Sequence, residues 1–262
     1  MKILNHDMGL GDFIPPILAS FLRKMKSHLD NTSIDNSDLP VKLFVSPLLG
    51  SYSQFNEDLI IDLVFASKDN GYYLDIGAND PSFNSNTKRF YDKGWSGINI
   101  EPGKELFNKL CLNRSRDINL NIGVGHSNGM LTFYQVIGDP TLSSFEKEIA
   151  YRMAAKFELP VSEIQIEVMR LVDVFEHYLS DKQVDFMSVD TEGFDLDVLQ
   201  SNDWKRFRPT LIMVEIDNQY NKIFEYMNFC KYTLIFNNEH NGIFIDKMTP
   251  NSYLKNMKYI DG

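Results

Sequence analysis

Acidic side chains stand at the ends of several apolar runs in this sequence. Asp75 lies in "YYLDIGAND", Glu101 in "SGINIEP", Asp190 and Glu192 in "VDFMSVDTEG", and Glu215 and Asp217 in "PTLIMVEID". Carboxylates in such positions accept hydrogen bonds, hold hard cations or, with a raised pKa, take a proton from a reacting group. A run that is apolar throughout reads as a strand covered on both faces, which belongs in a mostly parallel sheet. Ligands of such sheets sit beyond the carboxyl ends of the strands, where the strand order reverses.

The turn after the first strand narrows the choice of ligand. Gly77 lets the backbone turn sharply, and Asn79 tolerates the left-handed conformation. A pyrophosphate would need several unshielded amides from a glycine-rich turn, and Asp75 to Asp80 hold a single glycine. A ligand without phosphates fits better. Glu101 follows 26 residues after Asp75, where a βαβ nucleoside site places the carboxylate that accepts from both ribose hydroxyls. Asp75 then accepts from a ligand ammonium or a water. An adenosine that carries an amino acid in place of a diphosphate is S-adenosylmethionine, and Ala78, Asp80, Asn86 and Pro102 join Asp75, Gly77, Asn79 and Glu101 in the expected cofactor wall. The plainer reading is that both acids cap or solvate strand ends.

Asp190, Glu192, Glu215 and Asp217 gather at neighbouring strand ends, and carboxylates crowded there repel unless a proton or cation lies between them. Two chemistries stay open. Asp190, Glu215 and Asp217 could hold Mg²⁺ or Mn²⁺, which would orient and acidify an acceptor hydroxyl; alternatively one carboxylate is the general base. His126, after "NIGVG", and His240, in a late turn, are further candidate bases, although a lone loop histidine is more often simply solvated. Asp195 and Asp197 fall in the first turn of a helix, where negative charge favours the macrodipole.

The elements that must position these residues follow from the apolar pattern. Strands are predicted at 72–77, 97–101, 118–124, 184–189 and 210–216, mostly separated by helices, and "YTLIFNNEHNGIFID" predicts a closing antiparallel hairpin turning through Asn-His-Asn-Gly. "SQFNEDLIIDLVFAS" predicts a helix with Ser53 as N-cap, and Gly94 stands as a helix C′ residue. Residues 13–29 carry an amphipathic helical stripe, followed by the polar stretch "DNTSIDNSDLP" with a boundary near residue 40. Residues 1–50 are thus an N-terminal helical appendage and linker, 51–262 the main domain, and the appendage could pair two copies as a homodimer. The 262 residues carry a net charge of −10 with no basic stretch interleaved with aromatics, which argues against nucleic acid. Cys111 and Cys230 stand apart from each other and from any histidine pair, fitting a reducing, cytoplasmic setting. No run approaches the roughly 18 apolar residues of a membrane span.

Taken in order, "SQFNEDLI", "YYLDIGANDPSFNSNT", "KGWSGINIEP", "TLSSF", "VDFMSVDTEGFDLDVL" and "IMVEI" resemble the FkbM-type methyltransferase family over roughly residues 51 to 246. The resemblance implies an α/β, Rossmann-like class I methyltransferase fold and S-adenosylmethionine-dependent O-methylation, often of sugar hydroxyls in polysaccharides or glycoconjugates. It also implies that Asp75, Gly77 and Asn79 flank the methionine part, that Glu101 meets the ribose, and that Asp190, Glu192 and Glu215 face a sugar or nucleotide-sugar acceptor. Family members often have Gly before the first acidic pair; here Asn56 precedes Glu57 and Asp58, with Glu57 expected at the cofactor mouth. Two other readings compete: a nucleotide-sugar oxidoreductase or epimerase, and a catalytically silent binding subunit.

Overall fold

The structure, a computed structural model, describes residues 50–65, 68–217 and 219–248. The predicted helix over 13–29 and the boundary near residue 40 lie outside these residues.

Among the described residues there are ten strands: β1 (Tyr72–Ile76), β2 (Ser96–Ile100), β3 (Ile118–Leu120), β4 (Gly123–Val124), β5 (Gly129–Val136), β6 (Val161–Met169), β7 (Phe186–Val189), β8 (Leu211–Glu215), β9 (Tyr232–Asn237) and β10 (Asn241–Asp246). The helices are α1 (Glu57–Val64), α2 (Lys88–Asp92), α3 (Lys104–Asn113), α4 (Lys147–Lys156), α5 (Leu171–Val174, continued by a π-helical turn over Phe175–Leu179), α6 (Asp195–Gln200) and α7 (Tyr220–Phe229). Seven strands form the main sheet in the order β3-β2-β1-β7-β8-β10-β9. β3, β2, β1, β7 and β8 run parallel, and the β9–β10 hairpin adds the antiparallel edge. The chain steps outward from β1 to β3 and returns to β7 on the other side of β1, so the strand order reverses between β1 and β7.

Alternation along the buried strands feeds two cores. Leu74, Ile76, Ile98, Ile100, Val189 and Val214 pack on one face with α5, α6 and α7. Tyr73, Phe186, Leu211 and Met213 pack on the other with Ile60 and Ile61 of α1, Phe90 of α2, and Trp95. Coverage of both faces explains the near-continuous apolar runs. It also leaves only the strand ends open to a ligand.

Three expectations need correction. The run 118–124 divides, because β3 pairs with β2 while β4 pairs with β6 in a second sheet of order β4-β6-β5. The predicted strands do not include that sheet: β6 alternates apolar and polar residues over 163–168, the mark of a strand covered on one face only, and β5 pairs with it. The helix at 57 has Asn56 at its N-cap position with φ 68, although the predicted Ser53 still supplies a capping bond, its hydroxyl accepting from the Asp58 amide at 3.1 Å. In the late hairpin the left-handed residue is Glu239, at φ 76, and Gly242 lies within β10. Asn238 Oδ1 accepts from the amides of His240 and Asn241 and so holds this turn without glycine. Gly94, at φ 96, does follow α2 as expected.

Arg114, 1% exposed, anchors the loop after β1 from below. Its guanidinium donates to Pro81 O through both Nε and Nη2, to Ser85 Oγ and to Tyr73 Oη. Asp117 completes the network by accepting from the Gly97 amide, Asn99 Nδ2 and Tyr73 Oη. Removing one charge from such a buried network strands its partners. Arg114→Met is expected to lower the unfolding free energy by about 3 kcal/mol in a urea titration; a loss below about 1 kcal/mol would show that the loop is anchored otherwise.

Candidate active site

A cleft opens where the strand order reverses. Its floor is the carboxyl end of β1, Asp75 to Asn79, flanked by Glu101 and Pro102 after β2 and by Asp190 to Glu192 after β7. Asp75 and Glu101 thus face one cavity. Glu101 is buried, its Oε2 accepting from the Asn79 amide at 3.0 Å and its Oε1 from the Gly103 amide at 2.7 Å. Burial pushes it up to about 7 despite these bonds. A carboxylate has about four acceptor sites, so two amides leave room for ligand hydroxyls. Asp75, also buried, accepts from Thr87 Oγ1 at 2.6 Å, and desolvation raises its pKa.

Gly77 is required by geometry. Its φ is 78, and an added Cβ would lie 1.8 Å from the Asp190 carbonyl oxygen, so β1 and β7 approach too closely for any side chain here. Asn79, at φ 52, is the left-handed residue anticipated from sequence, and its buried Oδ1 has no hydrogen-bond partner among the described residues. An orphaned buried acceptor beside a cleft suits a cationic or N–H-bearing ligand group. Ala78 and Asn86 also line the cleft, Asn86 Nδ2 donating to Ser188 Oγ at 3.2 Å.

Two expected cofactor residues have other work. Asp80 Oδ1 accepts from the amides of Ser82 and Phe83, shaping the turn, and Asp80 does not line the cleft. Glu57 is fully buried, accepting from the Phe55 amide and from Asn238 Nδ2 and Asn241 Nδ2 at 2.8 and 2.7 Å. It fastens α1 to the late hairpin and reaches the cleft only through Asn241, which lines it.

A second cavity adjoins the first. Glu192, Gly193, Asp195, Glu215, Ile216, Asp217 and Gln219 form its sheet side, and Ile149, Arg152, Met153 and Lys156 of α4 face them. Glu192 lines both cavities. Its backbone is left-handed, φ 54, a conformation costing a non-glycine residue roughly 1–3 kcal/mol unless its surroundings hold it. They do. Ser144 Oγ donates to the Glu192 carbonyl, Asp195 accepts from the amides of Thr191 and Gly193, and Gln219 Nε2 donates to the Gly193 carbonyl. Asp195 therefore clamps the loop, a more specific task than the macrodipole role expected of it. Ser144 and Gln219 escaped sequence reasoning, since nothing in their spacing marks a bond to a distant loop.

Mutual repulsion adds to burial across the acidic cluster. Desolvation, then Asp195 and Asp217, pushes Glu192 up to about 7. Burial, and after it the charge of Asp190, pushes Glu215 up to about 10. Asp190 is held well above the usual carboxylate range by burial and by Glu192. Protons thus relieve the crowding near neutral pH. The expected cation set of Asp190, Glu215 and Asp217 does not converge: Asp190 opens on the first cavity, the other two on the second, and Asp217 Oδ1 is paired with His240 Nδ1 at 2.8 Å. Among the described residues no three His, Cys, Asp or Glu side chains are disposed to hold a metal ion. His126 is exposed and lines neither cavity; His240, stacked on Phe55, lines neither.

Comparison with known families bears on what this cleft serves. A family described as "Methyltransferase FkbM domain" matches residues 75–234, from the first cleft carboxylate to the middle of β9. The chain belongs to the FkbM methyltransferase family. It is accordingly an S-adenosylmethionine-dependent methyltransferase, and the oxidoreductase or epimerase reading falls. The matched span begins after "SQFNEDLI", so α1 lies outside it. A comparison with curated proteins returns no match. Among solved structures the fold is similar to a fibrillarin/Nop5p complex chain, with 10% identity, TM-score 0.38, and coverage of 82% of this chain and 93% of that one. An O-methyltransferase from Bacillus cereus in complex with SAH is similar at 13% identity, TM-score 0.35, covering 87% and 91%. No described helix is long and apolar enough to cross a membrane.

The raised pKa values carry a linkage consequence. Glu215 holds its proton in the folded protein up to about pH 10 but would release it near 4.5 when unfolded. Folding therefore loses stability as pH rises through that window. Glu215→Gln, which cannot ionise, is expected to melt at least ~2 °C above the parent protein at pH 8, the shift that about 1 kcal/mol gives in a domain of this size, with the difference shrinking toward pH 5. Equal melting temperatures at pH 8 would mean that Glu215 ionises freely.

Proposed function

We propose that this methyltransferase transfers the methyl group to oxygen, on a hydroxyl of a sugar, in polysaccharide or glycoconjugate biosynthesis, with Glu192 as general base. The observation that carries the reading is that Glu192 lines both the cleft below Asp75 and Glu101 and the cavity beside α4. In this reading the first cavity takes the cofactor, which supplies an electrophilic methyl on a sulfonium. Glu101 accepts from the ribose hydroxyls, and Asp75 and the orphaned Asn79 Oδ1 face the methionine portion. The second cavity takes the acceptor. Carboxylates and the Gln219 amide crowd its sheet side, a surface rich in acceptors for vicinal hydroxyls.

The proton inventory supports this division of labour. Glu215, at about 10, keeps its proton near neutrality and Asp190 is held well above the usual carboxylate range, whereas Glu192, at about 7, is the carboxylate that exchanges its proton in the working range. As the acceptor oxygen attacks, its proton passes to Glu192. The silent-subunit alternative has no use for such a group at the seam of two cavities. Of the aromatics that could stack on a sugar ring, Phe145 lines the first cavity but packs against Phe133 and Phe194; Tyr134 meets Tyr151, Tyr220 stacks on Phe224, and Phe83 is exposed.

Two measurements test the reading. Calorimetry is expected to show S-adenosylhomocysteine binding that Glu101→Ala weakens roughly 30-fold, the equivalent of about 2 kcal/mol for a lost charged acceptor; unchanged affinity removes Glu101 from the site. The rate of methyl transfer to a hexose panel is expected to rise with pH and level off above about 7, because Glu192 must be ionised to accept a proton. Glu192→Gln should lower kcat at least ~100-fold and erase that limb. A variant that keeps both the rate and the pH profile would show that Glu192 is not the base.

A further inference from the structure

The second cavity has a charge pattern that a neutral sugar would leave unused. On α4, Ile149, Arg152, Met153 and Lys156 recur at three- and four-residue spacings and form one stripe facing the cavity, while Ala150 and Ala154 are buried beneath the helix. Arg152 and Lys156 are thus two cations one turn apart on the cavity wall. Opposite them stand Glu192, Asp195, Glu215 and Asp217. Among the described residues neither cation forms an ion pair, and the only bond from either is a weak contact of Lys156 Nζ with Met153 Sδ. Lys147, on the same helix but outside the cavity, does find a carboxylate, in Glu163. Arg152 and Lys156, both exposed, thus stand unpaired on one wall of the cavity, across from a wall on which Glu215 keeps its proton and Asp217 is already paired with His240.

We propose that the acceptor is an anionic sugar, its phosphate or carboxylate held by Arg152 and Lys156 while a hydroxyl on the far side of the ring meets Glu192. This rests on the assignment of the second cavity to the acceptor. The chemistry required is a compact oxyanion: Arg152 can fork two donors onto it, and Lys156 adds a point charge. The acidic wall, in turn, disfavours an anion bound the other way round, so the two charge sets fix which hydroxyl approaches the base. A hexose phosphate, a uronate and a nucleoside-diphosphate sugar all share this chemistry.

The test uses the full chain saturated with S-adenosylhomocysteine. Inorganic phosphate, titrated at constant ionic strength, is expected to bind at millimolar strength, and the double variant Arg152→Gln/Lys156→Gln to bind it at least 10-fold more weakly while binding S-adenosylhomocysteine as before. Glutamine is a good helix former, so an unchanged circular dichroism spectrum and melting temperature would verify that α4 persists. Phosphate binding that is absent, or equal in both proteins, overturns the proposal. If S-adenosylhomocysteine itself fails to bind, the cofactor assignment falls instead. In a second arm, labelled methyl groups are offered to neutral hexoses, hexose 1-phosphates, uronates and nucleoside-diphosphate hexoses. Incorporation confined to anionic members, with KM raised at least 10-fold by the double variant and kcat little changed, is expected; which member is labelled identifies the source of the anion. Preferential labelling of neutral hexoses overturns the proposal, and if no member is labelled the phosphate titration decides.

Discussion

The site depends on β1 being paired in parallel with both β2 and β7. That pairing forces the chain ends of three strands to one edge of the sheet and leaves a gap where connections diverge. It also sets a limit at Gly77, where the Asp190 carbonyl comes so near that no Cβ fits. The first cavity is therefore a consequence of strand order, and the turn residues tune it. Hydrogen bonds from the Gly77 and Ala78 amides to the Ile100 carbonyl and from the Asp190 amide to the Ile76 carbonyl extend the sheet past its formal ends, so the turn is as firmly held as a strand.

Around that fixed edge the electrostatics are arranged by supply of donors. Glu57 and Glu101 are both buried, but Glu57 accepts three hydrogen bonds from its own protein and serves as a staple, whereas Glu101 accepts two backbone amides and lies open to the cleft. Asp75 takes a short bond from Thr87 and is also bonded by the Ser188 hydroxyl. Glu101 therefore keeps acceptor capacity that Glu57 has used up, which is what binding requires: a fully satisfied carboxylate has little left to offer a ligand. With crowding added to burial, Asp190 is held well above the usual carboxylate range and Glu215 settles the conflict by keeping its proton.

How much of this was legible in the sequence follows from which interactions are local. The five parallel strands and the final hairpin were legible because burial on both faces leaves an unbroken apolar run, and the strand-end acids stood out against those runs. The second sheet was not, although "VSEIQIEV" alternates cleanly in a way that period-2 reading would have found. Asp80 looks like a site residue in sequence for the same reason that Asp75 does, namely an acid beside the first turn, and Glu57 does so through its place in the family motif. Only the positions of the Ser82 and Phe83 amides and of Asn238 and Asn241 distinguish turn-former and staple from cleft wall. Arg114, whose bonds reach back about 30 residues to Pro81 and Ser85, carries no local signature at all.

The second sheet matters to function because it carries both a cleft wall and α4. β5 and β6 pair along eight residues, enough to make a rigid ribbon against which α4 packs. Between β5 and α4 the segment Pro140 to Phe145 lines the first cavity, and α4 walls the second. One insertion thus touches both cavities, and Ser144 ties it to the Glu192 carbonyl at their seam. Ser144 shares the holding of this left-handed residue with Asp195 and Gln219, so the position of the Glu192 side chain depends on the insertion, on α6 and on the segment after β8 together, because a backbone conformation that is costly by itself persists only where its surroundings over-determine it.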